Sequence, residues 1–158
     1  MIDAPIRRHR EMIRPDWIDY NGHMNVAYYV LVFDHATDVL LDLMGLGEAY
    51  ARDTGCSTFA LQALVSYRQE LRLGDTALVE TQLIDYDAKR IHYFHRMIHE
   101  REGYVAATLE QISIHVDLNA RRSAPLPDVA LYRVEEVMAS HRRLPAPPEL
   151  GARIGIRR

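Results

Sequence analysis

The sequence predicts an α+β domain: one long helix on a single antiparallel sheet, with a second helix near the C-terminus. Three observations lead there. Residues 26–44 carry apolar side chains around most of a helical circumference. Four later segments read as long strands, with apolar and polar residues alternating along them. The joins between them are short and carry glycine or aspartate, and short joins connect strands antiparallel. One helix laid on such a sheet is the α+β solution.

Taken in order, residues 7–14 read as a short first strand, ended by Pro15 and Asp16. Residues 16–25 form a polar, glycine-bearing loop. Val26 to Met44 is the long helix. Its polar residues Asp34, Asp38 and Asp42 recur every four positions and form one narrow stripe. The remainder is apolar enough to expect wrapping on most sides. Gly45 and Gly47 end it. In residues 57–71, Phe59, Leu61, Ala63, Val65 and Tyr67 fall on one face, predicting a strand with one buried side. Gly74-Asp75 turns the chain into a strand over 76–86, where Ala77, Val79 and Leu83 align. Asp87 to Lys89 is the next turn. Residues 90–100 and 104–117 are two more strands, joined as a hairpin at Arg101-Glu-Gly103. The expected order is strand, helix, then four strands in a meander. Residues 119–127 read as a loop. Residues 128–142 place Leu131, Val134, Val137 and Met138 at helical spacing. Residues 1–143 thus make one domain. Residues 144–158, with three prolines and two glycines, make an irregular tail suited to docking on a neighbour.

The chain's 158 residues suit a single domain, and 48% hydrophobic residues supply its core. A net charge of -3 gives no case for a general nucleic-acid or membrane binder. Cys56 is the only cysteine, so no internal disulfide forms, as suits a reducing compartment. No motif around Cys56 marks it as a nucleophile. The N-terminal MIDAPIRRHREMIRP lacks the apolar core of a signal peptide, and no run is long enough to span a membrane. The cytoplasm is the expected location.

The most informative stretch is Asp19-Tyr-Asn-Gly-His-Met-Asn-Val-Ala-Tyr-Tyr29. It sets a carboxylate, a glycine turn, a histidine and an asparagine just before the long helix. The free N–H groups of a helix start favour negative charge, including a developing oxyanion. An acid beside such a site is suited to hydrolysing an ester or thioester. The same residues also describe an Asx-type turn that caps a helix.

The element order and this motif resemble the hotdog fold. They are similar to the acyl-CoA thioesterase family that includes 4-hydroxybenzoyl-CoA thioesterase. Asp19-Tyr-Asn-Gly22 and Tyr28-Tyr29-Val30 carry the likeness. The longer form Asp16-Trp-Ile-Asp-Tyr-Asn-Gly-His-Met-Asn25 looks closer to one branch, thioesterases of betainyl-CoA and the thioesterase-like domain fused to some carnitine dehydrogenases. Glu110-Gln-Ile-Ser-Ile-His-Val-Asp117 and Arg121-Arg-Ser-Ala-Pro125 resemble that branch too. The resemblance implies an acyl-CoA substrate, no metal or other cofactor, and a homodimer or dimer of dimers with sheets joined edge to edge. It implies that Asp19 is the general base or the nucleophile. The N–H groups of Gly22 to Asn25 would polarise the thioester carbonyl. Gly22, Met24, Asn25 and Tyr28 are the candidate substrate-binding residues. A non-catalytic hotdog module that binds acyl-CoA or steadies a partner enzyme is the alternative.

Other candidates keep two readings. His23 is the second candidate catalytic residue, as an acid–base group, or else binds substrate, orients Asp19 or lines the helix entry. Asn25 caps the helix or holds a water. His92, His95 and His99 look like a metal cluster, but strand parity turns His92 away from the other two, so no metal site is expected there. Gln111, Ser113 and His115 share a strand face that either lines a pocket or meets solvent. Trp17, Tyr20, Tyr28, Tyr29 and Phe33 are either core and contact residues or an aromatic box for a quaternary ammonium. Arg121 and Arg122 either meet coenzyme A phosphates or sit in a solvated loop.

Overall fold

The computed structural model describes all 158 residues. The chain runs β1 (Ile6–Met12), α1 (Val26–Leu43), α2 (Glu48–Thr54), β2 (Cys56–Tyr67), β3 (Thr76–Tyr86), β4 (Arg90–His99), β5 (Val105–Asp117), β6 (Arg122–Ser123) and α3 (Asp128–His141). The sheet order is β1-β3-β4-β5-β2, every pairing is antiparallel, and the short β6 pairs with β5. The sheet curls around α1, which is the hotdog arrangement.

The side chain of Asn25 accepts from Ala27 N at the start of α1, and Gly45 at φ 72° lets the chain leave its far end. Tyr29, Val32, Phe33, Ala36, Thr37, Leu40 and Leu41 are the buried residues of α1. Their three- and four-residue spacing is one helical face. That face feeds two adjoining cores. Near the start of α1, Trp17, Met24 and Phe33 pack with Leu71, Val79 and Met97. Toward its end, Leu40 and Met44 pack with Leu83, Tyr93 and the Val134 and Val137 face of α3.

Several expectations need correction. Only β3, β4 and β5 form a meander. β2 lies at the far edge, paired to β5, so Gly74-Asp75 does not close a β2–β3 hairpin. Ile13 and residues 74–75 exchange hydrogen bonds there instead, which ties the link to the end of β1. β2 also has no buried face, because the register shifts between Ala60 and Gln62 and leaves Leu61 as a bulge. Phe59 then pairs with Ile114, while Ala63 and Val65 pair with Gln111 and Leu109 on the opposite face. The predicted apolar row is split, and Phe59 and Leu61 are exposed. α1 is wrapped on one side only, with Val26 and Val30 exposed along with the aspartate stripe. α2 is an element the periodicity did not reveal, and β6 falls within the predicted 119–127 loop. The tail lies across the outer face of its own sheet. Gln82 Nε2 donates to Pro145 O at 3.4 Å, Arg68 Nη1 to Glu149 Oε1 at 3.0 Å, and Gly151 N to Glu110 Oε2 at 2.7 Å.

Candidate active site

The turn before α1 is built by Asp19. Its backbone N–H donates to His23 O and its carbonyl accepts from Gly22 N, with Gly22 at φ 79°. Such a φ suits glycine and strains other residues. The carboxylate is then held at both oxygens. Oδ1 accepts from Asn21 N at 2.8 Å, and Oδ2 from Asn25 Nδ2 at 3.1 Å. Asn25 passes its other amide atom to the helix, Oδ1 accepting from Ala27 N at 3.0 Å. Asp19 is half-buried. Its two donors fill only part of a carboxylate's acceptor capacity, leaving lone pairs for a water.

Most N–H groups of this turn are committed within the protein. Gly22 N donates to Asp19 O, Met24 N to Leu71 O and Asn25 N to Trp17 O. The N–H groups of His23 and Val26 have no acceptor in the protein. The oxyanion donors expected from Gly22 to Asn25 therefore reduce to His23 and add Val26, the first residue of α1. An unpaired N–H at that position is what every helix start leaves.

Both residues border an open groove of about 280 Å³, lined also by Met24, Tyr29, Tyr67 and Glu70. Tyr29 and Tyr67 meet edge to face with centroids 5.4 Å apart. Tyr29 Oη accepts from Leu71 N at 2.9 Å, and its own proton has no acceptor in the protein. Burial pushes the Tyr29 phenol up, and the carboxylates of Glu70 and Asp19 act the same way, so it stays neutral. Tyr67 Oη donates to Val26 O at 3.3 Å. His23 Nδ1 donates to Met24 O at 3.2 Å, and its Nε2 lies 3.9 Å from Glu70 Oε2. The His23 ring touches the groove rather than the Asp19 carboxylate. Tyr67, Arg68 and Glu70 come from the end of β2 and the link after it, and no local pattern marked them as site residues.

A family model described as the thioesterase-like superfamily matches residues 13–134. The chain belongs to that superfamily. It is a thioester hydrolase, and the matched span includes the whole of the Asp19 turn and the groove. The chain is 39% identical over 144 residues to a betainyl-CoA thioesterase of Pseudomonas aeruginosa, covering 91% of each protein. It is 33% identical to an L-carnitine dehydrogenase/betainyl-CoA thioesterase of Rhizobium meliloti, covering 98% of this chain but 31% of that longer protein. The structure of protein SAV2348 from Staphylococcus aureus, in complex with CoA, superposes with a TM-score of 0.89 at 26% identity, covering 98% of this chain and 99% of the other.

The remaining candidates of this thioesterase fall into place around that site. Met24 borders the groove from beneath, is fully buried, and supports the site through packing. Tyr28 stacks on Trp17, with centroids 5.3 Å apart, and Arg14 covers the Trp17 ring at 4.5 Å. Tyr20 points into solvent, and Phe33 stacks on His95 in the core. The five aromatics of the proposed box are thus dispersed, and only Tyr29 reaches the groove.

Ser113 and His115 are buried, while half-buried Gln111 borders a small groove with Gln62, Leu64 and Gly151. Gln111 Nε2 donates to Tyr93 Oη, which bonds Ser113 Oγ at 2.9 Å. His115 Nδ1 donates to Ala124 O, and its Nε2 accepts from Tyr50 Oη. His92, His95 and His99 are held apart by Glu110, by two threonines and by Asp75 respectively. Arg121 and Arg122 carry no ion pair and border an outer groove of about 410 Å³ with Phe59, Leu61, Ile114 and Val116.

Proposed function

We propose that this thioesterase hydrolyses a small acyl-CoA, with betainyl-CoA the first candidate, to the free acid and coenzyme A. The observation that carries the proposal is the Asp19–Asn25 pair at the start of α1, with two unpaired N–H groups beside it over an open groove. The thioester carbonyl oxygen is placed against the N–H groups of His23 and Val26, where positive partial charge meets the developing oxyanion. Asp19 takes a proton from a water that attacks the carbonyl carbon, or attacks that carbon itself to form an anhydride that water then opens. In either course the C–S bond breaks, and the thiolate leaves and is protonated. His23 borders the groove and contacts substrate. Arg121 and Arg122, which form no salt bridge, meet the phosphates of coenzyme A.

The working unit is a homodimer or a dimer of dimers. β2 is 12 residues long, pairs on one side only, and presents Phe59 and Leu61. A long apolar edge needs a cover, and a second β2 across a twofold axis supplies one. No helix is long and apolar enough to cross a membrane, and the reaction is assigned to the cytoplasm. The test is free-thiol release across a panel of acyl-CoA esters that includes betainyl-CoA. Turnover of at least one small ester is expected, and inertness toward the whole panel would reject the proposal.

A further inference from the structure

Away from Asp19, β1 and α1 bring two imidazoles onto one carboxylate. His9 Nε2 lies 3.0 Å and His35 Nδ1 2.8 Å from the same oxygen, Oε2 of Glu11. His9 and Glu11 are two residues apart on β1 and share a strand face. His35 comes from the flank of α1, ten residues beyond Asn25 and so about 15 Å along the helix. One ligand atom from each residue lies within 4.8 Å of the others. The three side chains are 17%, 20% and 38% accessible.

We propose that His9, Glu11 and His35 bind one divalent transition-metal ion, which clamps the edge strand β1 onto α1. Two imidazole nitrogens and a carboxylate oxygen are a donor set of zinc-type ions. Ligand bonds of about 2.0–2.2 Å at tetrahedral angles set ligand atoms about 3.3 Å apart. The two separations to Glu11 need only open by a few tenths of an ångström to admit the ion. The surrounding charge favours a cation. Arg7, Arg8 and Arg10 of β1 are paired with Glu80, Asp3 and Glu100, and Glu11 has no arginine or lysine partner. On α1, Asp34 and Asp38 flank His35 in sequence, are exposed, and have no basic partner either. Water completes the coordination on the accessible side of His35. The competing arrangement is a hydrogen-bonded trio in which both imidazoles donate to Glu11 and no ion enters.

Titration of tag-free, chelator-treated wild-type protein with Co²⁺ and Zn²⁺ separates the two. We expect one Co²⁺ per chain, with the visible absorption of a low-coordinate ion, displaced by Zn²⁺. At a hundredfold excess over Kd the thermal midpoint should rise by roughly 5–10 °C. His35→Ala and Glu11→Gln should each abolish both signals. His92→Ala should keep both, since His92 makes a similar pair with Glu110 elsewhere on the sheet. Thiol release should be the same with and without metal. Absence of stoichiometric uptake by the wild type at about 0.1 mM free metal, weaker than a resident site, would overturn the proposal. So would unchanged cobalt binding by His35→Ala. The wild-type titration decides alone if a variant fails to fold.

Discussion

Asn25 Nδ2 donates to Asp19 Oδ2 at 3.1 Å, while Asn25 Oδ1 accepts from Ala27 N at 3.0 Å. One amide therefore locks the helix start and the carboxylate into a single unit. Losing the cap removes one of the two donors that hold the Asp19 carboxylate, and the charge on Asp19 can be removed while the cap is rebuilt. That coupling provides a way to separate chemistry from structure at this site.

Asp19→Asn removes the charge but sets an NH₂ where only an acceptor fits. One of the three linked hydrogen bonds is lost, costing about 0.5–1.5 kcal/mol. Turnover should fall at least ~10²-fold, the lower range for a general base. The double variant Asp19→Asn/Asn25→Asp restores all three bonds with the charge moved to residue 25. Denaturant unfolding should show recovered stability, and thiol release should stay low. A double variant with wild-type turnover would remove Asp19 from the chemistry.

Val26 is the first residue of α1, and its N–H is unpaired. Proline is tolerated at that helical position, and Asn25 before it already has extended φ and ψ. Val26→Pro thus deletes one N–H with little strain. Turnover should drop by about 10²–10³-fold, the usual effect of one lost oxyanion donor, at nearly unchanged melting temperature. If kcat is unaffected, the Val26 N–H does not face the carbonyl.

The β2 edge sets the assembly. Light scattering at micromolar concentration should find a dimer or dimer of dimers. Phe59→Lys/Leu61→Lys places charges along that edge and should shift the protein toward monomer, with activity falling in parallel. A monomeric wild type of full activity would reject edge-to-edge pairing.

Substrate charge is tested by a ratio. The box of five aromatics is dispersed, yet Tyr29 and Tyr67 both line the groove. An aromatic face favours a quaternary ammonium by roughly 0.5–2 kcal/mol, about a 2- to 30-fold preference. The kcat/KM for betainyl-CoA should exceed that for an uncharged ester of the same size and branching by such a factor. Higher efficiency with the uncharged ester would leave a generic acyl-CoA thioesterase.

Acid should weaken the core through His95. Thr37 Oγ1 donates to Phe33 O and so accepts from His95 Nε2–H, which leaves Nδ1 to accept from Thr81. Burial holds this imidazole neutral, its pKa lowered to about 3 from 6.5. The unfolded chain binds the proton that the folded chain refuses, so stability falls as pH drops below about 6.5. One such group contributes a slope approaching 1.4 kcal/mol per pH unit, roughly. His95→Gln should flatten the wild-type dependence of unfolding free energy between pH 6.5 and 5 by about that much. Equal slopes would show that His95 does not titrate with folding.

The sequence by itself determined the long helix, the first strand and all four long strands as elements, the second major helix and the turn around Asp19. Each rests on local signals: a 3.6-residue period, a two-residue period, and an asparagine and glycine where a cap and a positive φ are required. It also determined where Asp19 stands relative to the helix start, because six residues and a tight turn leave Asn25 little choice of partner. Tertiary structure alone decided which strand lies at the edge. β2 pairs with β5 across some fifty intervening residues, and the Leu61 bulge that splits its apolar row exists only in that pairing. It alone decided which N–H groups remain free, since Leu71 and Trp17 supply acceptors to Met24 and Asn25. It brought Tyr67 and Glu70 to the groove and His9, Glu11 and His35 to one point. Periodicity records which face of an element turns inward, and long-range pairing sets what that face meets.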